Sequence, residues 1–126
     1  MSNSKNKRTA RKGGSDSSID WSILDMPFPA GLSTEKRRLF DFAKELKLCQ
    51  ERLDRYKNYW PRTINMVTAT LNKALEADFA DGVLKNKAKG LLTVLGHSKL
   101  DRNDVHSRHM AICQYVINQL KEIKPE

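Results

Sequence analysis

His106, His109 and Cys113 are the residues whose types and spacing come closest to site chemistry in this chain. Separations of three and four place them along one face of a helix, and imidazole and thiolate are the ligands zinc prefers. Two features weigh against a metal centre. His109 and Cys113 fall on an apolar stripe with Val105, Ile112 and Val116, where both serve as core residues, and neither a Cys pair nor an HExxH motif stands nearby. The reading is no metal and no cofactor. The stretch ADFADG (77–82) places an aspartate before a glycine, as a calcium loop does. Aligning Gly82 with the sixth loop position leaves Ala77 and Ala88 where carboxylates are required, so that reading fails. No glycine-rich phosphate loop follows a strand, and no serine sits in a nucleophile elbow. The carboxylates are dispersed among basic residues at helical spacing, as Asp41 and Glu45 are around Lys44, which describes a solvated helix face. The expectation is a protein that is not an enzyme.

Charge carries more information. The formal net charge is +8, from 23 basic and 15 acidic residues. Residues 1–15 hold Lys5, Lys7, Arg8, Arg11 and Lys12 with no acid, so five of the eight excess charges lie on a short terminal segment. Cations without counter-charge suit phosphate binding by counterion release. The same stretch, KNKRTARK, also fits a nuclear-import address, and a plain solubilising tail is the bland alternative. Further along, residues 36–62 hold nine basic and four acidic residues. Arg37 and Lys44 share an outward helical row with Lys47 close by, and Lys85 and Lys89 stand one turn apart on a later helix. Tyr59, beside Arg55 and Arg62, is the ring left to meet a base or a partner, because heptad spacing assigns Tyr56 and Trp60 to a buried seam. The pattern predicts binding to nucleic acid, DNA or RNA, through the backbone and without strong sequence specificity. A helix-turn-helix over residues 91–109 is disfavoured by Arg102 at a core position and by bulky Leu92 where a small residue is usual.

The alternative is a protein–protein adaptor. Trp21, Leu24 and Phe28 lie in an apolar segment interleaved with Asp16, Asp20 and Asp25, an acidic–hydrophobic composition found in linear docking motifs. Phe40 and Leu48 fall off the apolar seam of their helix and need cover. That cover is the Trp21–Phe28 segment folding back, a homodimer interface, or a foreign protein.

The elements that must position these residues follow from periodicity. Residues 1–18 lack apolar residues beyond Met1 and Ala10 and read as a disordered basic tail. Residues 19–32 mix large apolar side chains with Pro27, Pro29 and Gly31 and read as an irregular strap. Residues 33–124 form the helical domain. A first helix over 33–60 starts at Ser33 or Thr34 and carries Leu39, Phe42, Leu46, Cys49, Leu53, Tyr56 and Trp60 at spacings of three and four, a seam for bundle packing or a coiled coil. Pro61 marks the corner into a second helix over 61–80. A third spans 83–96 with Gly96 as its stop, and a fourth spans 100–123 with Asp101 as its cap. Gly90 inside the third helix predicts a close helix crossing. The fold class is therefore all-α, a four-helix up-and-down bundle or a related helical fold.

Two widely separated cysteines, Cys49 and Cys113, read as buried small apolar residues in a reducing compartment. Mean hydropathy is −0.64, and no run approaches a membrane span. No charged start is followed by an apolar stretch. The expected place is intracellular, cytoplasmic or nuclear, and not secreted.

Overall fold

The computed structural model describes residues 19–27, 31 and 33–122, with the side chains of residues 56–59 outside that description. The five cations of the tail, Phe28, the side chains of Tyr56 and Tyr59, and Ile123 and Lys124 therefore lie beyond it. Four α-helices follow one another: α1 (Thr34–Leu53), α2 (Tyr56–Glu76), α3 (Gly82–Leu95) and α4 (Arg102–Lys121). No strand occurs among the described residues, and the chain is all-α.

The helix starts are set by side chains that satisfy otherwise orphaned backbone N–H groups. Ser33 accepts from Lys36 N at 3.3 Å, Asp81 from Leu84 N at 2.8 Å, and Asp101 from Asn103 N at 2.9 Å and Asp104 N at 3.3 Å. Gly96 ends α3, donating its N–H to Leu92 O at 3.0 Å. Asp104, three residues after the α4 cap, accepts from Arg108 Nε at 2.9 Å.

The seam expected to run unbroken to Trp60 is interrupted. α1 stops at Leu53, Asp54 and Arg55 form a turn, and Pro61 lies inside α2 rather than at the corner. Arg55 N–H closes onto Arg52 O at 3.0 Å, tightening the chain before α2 begins. The break lets α2 fold back antiparallel along α1, which brings Thr70 to Cys49 and Lys73 to Glu45. Pro61 stays inside α2 as its sixth residue, where its missing N–H still leaves a gap in the ladder. At its other end α2 stops at Glu76, and Phe79 packs from the following loop with its ring centroid 5.5 Å from that of Phe42.

Adjacent helices run antiparallel. Cys49 meets Thr70 and Glu45 meets Lys73 across α1–α2, while Asp81 meets Tyr115 across α3–α4. The packed pairs are α1–α2, α2–α3, α3–α4 and α4–α1, so the helices form a closed ring in which α1 and α3 stand diagonally opposite. The core is built from the apolar stripes: Phe42, Leu46 and Leu53 of α1, Val67 and Leu71 of α2, Leu84 and Leu91 of α3, and Val105, Ile112, Val116, Ile117 and Leu120 of α4. Gly90 marks a close approach, as its pattern predicts, but the approaching group is a side chain: a Cβ there would lie 3.3 Å from the Arg108 guanidinium of α4.

The strap is more regular than its composition predicts. Trp21–Asp25 forms a short 3-10 helix because Asp20 caps it, accepting from Ser22 N at 3.1 Å. It lies against α1 and α4. Trp21 Nε1 donates to Gln50 Oε1 at 3.0 Å, Asp20 pairs with Lys121 at 3.8 Å, and Ile19, Trp21, Ile23 and Leu24 pack on the core. Gly31 adopts φ 85°, the left-handed conformation glycine tolerates, ahead of α1. Phe40 is buried, whereas Leu48 remains 55% exposed. The need for cover inferred from sequence is thus met for one of the two residues.

Candidate nucleic-acid interface

The outward row of α1 is only partly open. Arg37 Nε lies 3.8 Å from Asp41 Oδ1, one turn on, and the Lys44 ammonium sits 4.8 Å from the Phe40 ring centroid. That cation–π contact spends part of Lys44 on covering a core-edge ring. Lys47 is half-buried. On α3, Lys89 is exposed and Lys85 half-buried. Because α1 and α3 are diagonal, these two rows open on opposite sides of the bundle, and the structure does not bring them together.

A different grouping appears where α1 ends, α2 begins, α3 ends and α4 begins. Arg52, Arg55 and Arg62 are exposed at the α1–α2 junction, and His97 and Lys99 are exposed in the loop between α3 and α4. Arg102, first residue of α4, lies with its guanidinium carbon 4.9 Å from the ring centroid of Trp60 near the start of α2. Trp60 itself packs against the core, so the indole under the arginine is a seated floor. Two of the carboxylates at this end are committed. Asp101 accepts two backbone N–H groups, and Asp104 accepts from Arg108. Arg52, Arg55, Arg62 and Lys99 make no ion pair among the described residues. Of this grouping the sequence reading singled out Arg55 and Arg62 and missed Arg52, Lys99 and Arg102; the Tyr59 side chain lies outside the described residues. The usable signal was topological: in any up-and-down bundle, residues 97–102 return to the end that holds residues 52–62.

The opposite end is acidic and self-contained. A cavity of about 230 Å³ is lined by Glu35, Lys36, Asp78, Phe79, Asp81 and Tyr115, among others. Tyr115 Oη donates to Asp81 Oδ2 at 2.5 Å, and Gln119 Nε2 donates to Tyr115 Oη at 2.9 Å. The Leu84 backbone N–H, and after it the Tyr115 hydroxyl, hold the Asp81 carboxyl below its usual range. The same bond to Asp81 pushes the Tyr115 hydroxyl up. Arg38 and Asp78 pair at 2.9 Å. Phosphates find no excess positive charge here.

The His–Cys motif is a polar contact inside the core. His109 is fully buried, its Nδ1 3.5 Å from Cys113 Sγ, and its Nε2 has no hydrogen-bond partner. Burial, and secondarily the charge of His106, lowers its pKa to about 3, so the imidazole is neutral. Burial likewise pushes the Cys113 thiol up, which keeps it protonated and a poor metal ligand. Cys49 and Cys113 are both buried and unbridged, and Cys49 Sγ lies 3.5 Å from Thr70 Oγ1. Among the described residues no cluster of three His, Cys, Asp or Glu side chains has the geometry to hold a metal ion. Nor is any described helix long and apolar enough to cross a membrane.

No family model, no curated protein and no solved structure matches this chain.

Proposed function

We propose that this chain binds nucleic acid through the phosphate backbone without strong sequence specificity, its N-terminal arm supplying much of the affinity and the basic residues of the helices the rest. The observation that carries the reading is the charge layout: five cations and no acid within residues 1–15, attached to a body whose remaining 18 basic and 15 acidic residues still leave a positive excess. Such a layout favours sequence-independent binding governed by counterion release. The test is a salt titration of binding to duplex DNA, duplex RNA and single strands. It compares the full chain with a variant whose five arm cations are replaced by glutamine. The variant is expected to bind every sequence more weakly and by a similar factor, with its log–log salt slope reduced by about 3–5. An unchanged slope would remove the arm from the account.

One observation keeps a protein-partner reading in play: Leu48 is a large apolar residue left 55% exposed on α1. Under that reading a second copy or a foreign protein covers it, and Leu48→Lys abolishes the association seen by light scattering or pull-down while leaving nucleic-acid binding intact. Trp21 and Leu24 are the weaker part of such a surface, since they are turned onto the body and Trp21 is bonded to Gln50.

A further inference from the structure

Resting on the nucleic-acid reading, we infer that the folded body meets the phosphate backbone at one place, the bundle end formed by the α1–α2 junction and the α3–α4 loop, with Arg102 as its anchor. Three observations lead there. First, topology gathers Arg52, Arg55, Arg62, Lys99 and Arg102 from four helix ends onto one end of the bundle, whereas the basic residues of α1 and α3 are split between opposite sides. A polyanion bound at that end meets several cations at once; one bound along α1 or α3 meets a single row.

Second, the arginine is already placed. Arg102 rests over Trp60 at 4.9 Å, and Trp60 is itself seated on the core. A guanidinium confined to a plane loses less conformational freedom on meeting a phosphate than a lysine on a flexible stem, and its N–H fork matches phosphate oxygens. Third, cations outnumber acids here. Asp104 is paired with Arg108, and Arg52, Arg55, Arg62, Lys99 and Arg102 stand against Glu51, Asp54 and Asp101, the last keeping its charge while it caps α4. At the other end Arg37, Arg38 and Lys121 each face a carboxylate.

The test uses the full chain and labelled duplex DNA of random sequence at several salt concentrations. A triple variant, Arg62→Gln with Lys99→Gln and Arg102→Gln, is compared with a matched triple, Lys44→Gln with Lys85→Gln and Lys89→Gln. The end variant is expected to bind about tenfold or more weakly at fixed salt, with the log–log slope reduced by about 2–3, and the matched variant to stay within about twofold. Equal losses for both triples, or a larger loss for the matched one, overturns the assignment. Should Arg102→Gln loosen Trp60 and unfold the chain, Arg62→Gln with Lys99→Gln alone still decides, since neither side chain has an ion pair to lose among the described residues. That double variant should weaken binding by about fivefold, and parity with the unmodified chain overturns the inference. If the unmodified chain shows no salt-dependent binding at all, the nucleic-acid reading fails and this inference falls with it. If it binds but both triples match it, the binding belongs to the arm and only the present assignment fails.

Discussion

At one end of the bundle an arginine lies on an indole; at the other a tyrosine is locked to an aspartate. Both ends are built by the same topology, with two helix starts and two helix stops, yet they differ in what their polar groups do. At the acidic end several charges answer one another: Asp81 takes a backbone N–H and the Tyr115 hydroxyl, Asp78 takes Arg38, and Asp20 takes Lys121. At the cationic end four basic side chains, those of Arg52, Arg55, Arg62 and Lys99, lack an ion-pair partner among the described residues, and Arg102 lies over the Trp60 ring. Satisfied charges stabilise a fold locally and offer little to a partner. Unmatched cations cost little at an exposed surface and remain available to a polyanion.

The largest expected effect lies between the two ends and tests whether acid sensitivity belongs to the surface or to the core. His109 has a folded pKa of about 3 against 6.5 for the exposed side chain. Below pH 6.5 the unfolded chain takes up a proton that the folded chain refuses. Stability therefore falls by about 1.4 kcal/mol per pH unit, about 2 kcal/mol by pH 5, levelling off at about 4 kcal/mol near pH 3. Urea titrations at stepped pH read this directly, and His109→Met should flatten the curve between pH 6.5 and 5. Asp81 acts in a separate window. Its lowered pKa contributes stability that is present above its usual value of 3.8 and is lost only as pH falls further. A loss above pH 5 that survives His109→Met would move acid sensitivity to the surface.

Next in size, Trp60→Ala removes the floor of the cationic end. The half-buried indole packs on the core, so a stability loss of about 2–3 kcal/mol is expected by thermal or urea unfolding. Nucleic-acid binding measured well below the new midpoint should weaken too, because Arg102 loses its support. Tyr115→Phe makes the corresponding cut at the acidic end. It should cost about 1 kcal/mol and leave nucleic-acid affinity unchanged. A change in affinity there would erase the distinction between the ends. The smallest effect belongs to Arg38→Gln. The pair with Asp78 is more than half exposed on both sides, so the loss should stay under about 0.5 kcal/mol.

Much of this organisation was determined by the sequence alone. Residues at spacings of three and four can bury themselves only as helices, and Ser33, Asp101 and Gly96 mark boundaries through local backbone chemistry that needs no distant partner. The all-α class, four helices, their order and the core roles of His109 and Cys113 followed from that. What only the tertiary structure decided depends on which helices become neighbours. The heptad spacing ran smoothly through residues 53–60, yet the chain breaks at Asp54–Arg55 and α2 folds back along α1. Helical spacing puts Phe40 and Leu48 on the same off-seam side, yet the fold buries the first and exposes the second. The basic rows of α1 and α3 look alike along the chain, yet ring closure sets them on opposite sides. Arg102 and Trp60 are 42 positions apart, and no local pattern joins them; they meet because two helix starts share one end of the bundle. Periodicity and capping act over a few residues and are legible in one dimension, whereas charge grouping is a property of the closed bundle.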